Sequence, residues 1–139
     1  MKAPTVLNEP IEVQTPSFWA ASAVVWTACV LGMAISPMSK MEWVVATLTD
    51  KTLHGIAFAV GTVVWANAFR TISSYMAVPV ALGAGISLLL GGLIEFLQRF
   101  VPGRSPDFAD VLADVIGILT AAGVLFLKYQ IVRSKTNLK

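Results

Sequence analysis

The chain has 139 residues, 56% of them hydrophobic and 13% charged, and a mean hydropathy of +0.75, which excludes an ordinary soluble domain and indicates an integral membrane protein. Its net charge of +2 is spread along the chain rather than gathered in a stripe, so nucleic acid is not an expected partner. The single cysteine, Cys29, lies in an apolar run, which removes an intrachain disulfide and a multi-cysteine zinc site.

Residues 1–17 carry Pro4, Pro10, Pro16, Glu9 and Glu12 without an apolar period, and read as a short flexible tail. Phe18 to Ser36 is an apolar run containing Trp19 and Trp26, long enough to span and longer than a usual signal-peptide core. Pro37 to Thr49 interleaves polar residues with Met38, Met41, Trp43, Val44 and Leu48, as in a loop or short interfacial helix with Trp43 at headgroup level. A second run begins at Asp50, placed as an N-cap, with Lys51, His54 and Phe58 on one stripe, and reaches Phe69. The link Arg70 to Tyr75 leads to a third run, Met76 to Leu97, whose Gly83, Gly85, Gly91 and Gly92 permit close helix approach in lipid. Phe108 to Leu127 forms the fourth run, and residues 129–139 are a basic tail suited to anionic lipid. The expected fold is an all-α integral membrane protein with four transmembrane helices in a compact bundle over 18–128.

Between the third and fourth runs, Glu95 to Asp114 gathers six charged residues: Glu95, Arg99, Arg104, Asp107, Asp110 and Asp114. Asp107 is positioned as an N-cap after Ser105-Pro106, and Asp110 and Asp114 follow on the same helix face. Glu95, Gln98 and Arg99 share a face of the preceding helix, and Pro102-Gly103-Arg104-Ser105-Pro106 supplies the turn, with Gly103 free to take a positive φ. At about 1.5 Å per residue Asp114 lies roughly 10 Å into its helix, a depth at which charged groups face a bundle interior and have partners. A polar pocket opening on one membrane face is expected.

Its residue types admit three chemistries. Carboxylates at Glu95, Asp110 and Asp114 with the His54 imidazole could hold a divalent cation. The same acids, neutralised by Lys51, Arg99 and Arg104, could form a structural ion-pair network. Lys51, His54, Arg99 and Arg104 could bind a phosphate or pyrophosphate headgroup. No nucleophile stands out.

The set Asp50-Lys51-x-x-His54, Glu95-x-x-Gln98, Pro102-Gly103-Arg104, Asp107-x-x-Asp110 and Asp114-x-x-Gly117 resembles the VanZ-like family of small bacterial membrane proteins. The resemblance covers roughly Asp50 to Gly123 and departs from the family pattern at Asp114, where Asn is usual, so the pocket here is more acidic. It implies a bacterial cytoplasmic-membrane protein, and its best-known relatives raise resistance to the lipoglycopeptide teicoplanin; it implies no established reaction.

Lys and Arg number six on the side holding both termini (Lys2, Arg70, Lys128, Arg133, Lys135, Lys139) and four on the other (Lys40, Lys51, Arg99, Arg104), which orients both termini to the cytoplasm and the pocket outward. The expected function is non-catalytic binding or masking of an amphiphile, lipid headgroup or lipoglycopeptide at the cell envelope. Asp50, Lys51, His54, Glu95, Gln98, Arg99, Arg104, Asp107, Asp110 and Asp114 are its candidate residues. The bilayer is the expected partner, and no cofactor is implied beyond a divalent cation. Two alternatives stand beside this: a small membrane hydrolase or transferase acting on a lipid-linked phosphate, and a structural subunit using its glycine-rich third helix as a contact face.

Overall fold

A computed structural model describes residues 16–36, 50–73 and 75–136. The expected N-terminal tail and the Pro37 to Thr49 segment with Trp43 lie outside these residues, apart from Pro16 and Ser17. The described residues form four helices: α1 over Pro16–Ala34, α2 over Asp50–Ala68, α3 over Ala77–Gln98 and α4 over Phe108–Thr136. No strand occurs among them.

Three segments, Ser17–Ala34, Ala77–Gln98 and Phe108–Ser134, are long and apolar enough to cross a membrane. α2 matches them in length but carries Asp50, Lys51, His54 and Asn67, which lower its hydropathy. Its position accounts for that composition. α2 packs against all three other helices, most extensively against α4 and α3. Phe58, Thr62 and Ala66, one turn apart, are buried along it, so other helices and not lipid surround much of its surface.

The outward surface is apolar. Leu89 and Phe100 are among the large hydrophobic side chains left exposed, the inverse of a soluble protein. Hydroxyls on this surface are satisfied within their own helices: Ser22 donates to the Phe18 carbonyl, Thr27 to Ala23 and Thr120 to Ile116. Such local bonding is what a hydrocarbon environment demands.

α4 continues to Thr136, so the expected tail from residue 129 is helical through that point. Nothing between Lys128 and Thr136 is a helix breaker, and Lys, Gln and Arg extend a helix readily. At about 1.5 Å per residue its 29 residues exceed the ~30 Å hydrocarbon thickness. A crossing α4 would therefore project beyond the apolar layer at one end.

Two glycines fix the tightest crossing. A Cβ on Gly117 of α4 would fall on the Gly55 carbonyl oxygen of α2, so the backbones meet there with no side chain between them. Gly103 has φ 79° and makes the expected turn between α3 and α4.

Candidate functional site

The charged stretch does assemble at one end of the bundle, but with partners that its order in the chain does not suggest. Adjacency in sequence pairs α3 with α4. The tight α2 to α4 crossing instead brings the α4 carboxylates against α2. Lys51 Nζ donates to Asp107 Oδ2 at 2.8 Å and to Asp110 Oδ1 at 3.1 Å. His54 Nδ1 lies 2.9 Å from Asp114 Oδ1, and its Nε2 lies 3.9 Å from Asp110 Oδ2. The His54 ring stacks on Phe58 one turn below.

Burial grades this cluster from rim to interior. Lys51 and Asp107 are about half exposed, whereas the Asp110 and Asp114 side chains retain 5% and 1% of their accessible surface. Asp107 caps α4 as expected, its Oδ1 accepting from the Ala109 N–H at 2.8 Å. The Lys51 ammonium and that amide hold the Asp107 carboxyl below the ordinary aspartate range.

α3 contributes differently from expectation. Glu95 and Gln98 are buried, and Glu95 Oε2 accepts the Asp107 N–H at 3.0 Å, tying α3 to the first turn of α4. Glu95 Oε1 and Asp114 Oδ2 are buried without a hydrogen-bond partner. Asp114 reaches across to α3 at Gly91, where a Cβ would sit 2.7 Å from Oδ2, so that glycine makes room for the carboxylate. Arg99 is exposed and pairs with none of these acids.

Arg104 also stands apart from the acids. Its Nε donates to the Ser36 carbonyl at 3.2 Å and a terminal nitrogen donates to the Met33 carbonyl at 3.3 Å. Both acceptors lie at the end of α1, where the helix dipole is negative and the Met33 carbonyl also accepts the Ser36 N–H at 3.2 Å. Arg104 thus pins α1 to the α3–α4 turn. Of the three cations expected to neutralise the carboxylates, Lys51 does so.

Beside the cluster runs a cleft of about 210 Å³, walled mainly by apolar side chains of α1, α2 and α3 such as Val30, Leu53, Phe58 and Ile94. Asp50, His54, Gln98 and Arg104 are its polar lining. The expected polar pocket is therefore an apolar cleft with polar groups along it. Glu95, Asp110 and Asp114 lie behind it in the helix interface rather than on its wall.

Sequence reasoning placed Asp50 among the candidates as a cap, yet missed its proximity to Asp110. Ligand atoms of Asp50, His54 and Asp110 lie within 4.8 Å of one another. The spacing Asp50-x-x-x-His54 puts those two residues one helical turn apart, while the approach of Asp110 depends on how α4 packs on α2.

Comparison with known proteins found no match among curated proteins or among solved structures. The family model described as VanZ/LLP1 matches residues 13–129, which is more than half of the chain and includes every residue of the cluster. With this match, and with three helices among its described residues long and apolar enough to cross a membrane, the chain belongs to the VanZ/LLP1 family.

Proposed function

We propose that this protein is a non-catalytic binder of an anionic amphiphile, held with its apolar portion in the cleft and its charged group at Arg104. The observation that carries the reading is the lining of the cleft: mainly apolar walls around about 210 Å³, with Arg104 and Gln98 also lining it. Arg104 spends two N–H donors on α1 and keeps the rest of its guanidinium for an anion. In this reading α2 is a fourth span, enclosed by the other helices and so able to carry polar residues. The charged end faces outward from a bacterial cytoplasmic membrane, on the distribution of Lys and Arg.

A membrane phospholipid and a lipoglycopeptide both have the required chemistry, an acyl chain beside a polar body. Purified protein in neutral detergent would be incubated with a short-chain anionic phospholipid or with teicoplanin, and bound ligand counted by native mass spectrometry. Ala57→Phe narrows the cleft, while Leu89→Phe adds the same ring on the 75% exposed face of α3. Retention at least about tenfold weaker in Ala57→Phe alone is expected. Equal retention by wild type and both variants would remove the cleft as the binding site.

A further inference from the structure

The geometry points to a divalent transition-metal site formed by Asp50, His54 and Asp110, with Asp114 orienting the imidazole. His54 has two ring nitrogens in two different settings. Nδ1 lies 2.9 Å from Asp114 Oδ1, a carboxylate that accepts hydrogen bonds and so holds the proton on Nδ1. Nε2 is left with its lone pair on the side of Asp110 Oδ2, 3.9 Å away. A carboxylate behind the imidazole and a free Nε2 in front is the arrangement by which proteins set the tautomer and basicity of a metal-binding histidine.

Asp110 is divided in the same way. Lys51 occupies Oδ1 at 3.1 Å, and Oδ2 faces the ring. Asp50 completes the set one helical turn before His54, and one potential ligand atom from each of the three residues lies within 4.8 Å of the others. Donors bound at about 2.1 Å to one tetrahedral ion lie about 3.4 Å apart, so binding would draw the widest of these separations in by up to about 1.4 Å and the His54 to Asp110 pair by about half an ångström. Asp50 and His54 also line the cleft, which provides a path for entry.

A second, independent observation concerns Glu95, which is 92% buried by its 8% residual exposure and lies against the same turn of α4. Its Oε1 has no hydrogen-bond partner, and neither has Oδ2 of Asp114. Glu95, Asp110 and Asp114 place three carboxylates in the interior; among the described residues Lys51 and His54 are the side chains in ion-pair contact with Asp110 or Asp114, and Glu95 accepts the Asp107 N–H. A bound cation would offset that surplus of buried acceptors, as protonation of a carboxyl would also do. One imidazole with carboxylate oxygens suits Mn²⁺, Co²⁺ or Zn²⁺ better than a cation that takes oxygen alone. This inference does not depend on what fills the cleft.

The test uses the full chain in uncharged detergent, titrated with Co²⁺ and followed by visible absorption, with Zn²⁺ as competitor. Wild type should bind one Co²⁺ per chain with new d–d bands that Zn²⁺ abolishes. Asp50→Asn, at the half-buried first turn of α2, should lose the bands while melting as wild type does. Asp114→Asn should keep one ion per chain but bind about 10 to 100-fold more weakly, as expected for loss of an orienting carboxylate. Folded wild type without stoichiometric bands, or Asp50→Asn titrating like wild type, would overturn the site. Unchanged affinity in Asp114→Asn would overturn the orienting role.

Discussion

Replacing Gly117 by alanine tests the contact on which the cluster depends. A Cβ at that position would lie on the Gly55 carbonyl oxygen, 2.8 Å from its carbonyl carbon and 3.1 Å from its Cα. Carbon atoms in comfortable contact are about 3.5–4.0 Å apart, so α2 and α4 would have to separate by about 1 Å. Overpacking of this kind costs about 1–3 kcal/mol, and the upper end applies because the obstacle is backbone rather than a side chain that can turn away. His54 precedes Gly55 in the chain, and Asp114 lies just under one turn before Gly117, so the separation acts on the 2.9 Å His54 to Asp114 bond. Thermal unfolding in neutral detergent, followed by circular dichroism, should show Gly117→Ala melting several degrees below wild type. Gly92→Ala is the control, because a Cβ there meets nothing within 4 Å and alanine in a helix is favoured over glycine by up to about 1 kcal/mol. If Gly117→Ala melted with wild type or above it, the helices would not cross at these residues.

Three further outcomes are expected. Arg104→Met removes both donors from the end of α1, and hydrogen bonds from a charged group are worth about 1.5–3 kcal/mol; limited proteolysis should then cut near residue 36 faster, with Arg104→Lys intermediate. Glu95→Gln keeps an acceptor for the Asp107 N–H and removes one of the crowded buried charges, so it should melt at or above wild type, whereas Glu95→Leu orphans that amide at a cost of about 1–3 kcal/mol; equal losses in both variants would contradict this. The last concerns pH. With its carboxyl held below the ordinary value by Lys51, Asp107 contributes stability that is complete above about pH 3.9 and is lost as pH falls through the lower folded-state value. The melting difference between wild type and Asp107→Asn should therefore persist from pH 7 to about 4 and close below that, and a constant difference down to pH 3 would refute the pairing.

The membrane class, the all-helical fold and the α3–α4 turn were legible in the chain itself, because each depends on local composition. Runs of apolar residues near the length of a bilayer can only be helices when lipid surrounds them, since every backbone N–H and C=O must be satisfied internally. Gly103 and Asp107 were legible for a similar reason: a positive φ and an N-cap are properties of a few consecutive residues.

Partners were not legible, because they depend on which helices touch. The chain order places Arg99 and Arg104 beside the acids, yet α4 offers its carboxylates to α2, where Gly55 and Gly117 allow the backbones to meet. Arg99 was left on the surface, and Arg104 was drawn to the carbonyls of α1, a helix some seventy positions earlier. The reason for the polar residues of α2 likewise came from its tertiary position, since a helix largely packed against other helices can carry Lys51 and His54 where a lipid-facing one cannot. The order of residues in the chain specified a charged cluster between two apolar runs; helix packing specified that His54 stands between Asp114 and Asp110.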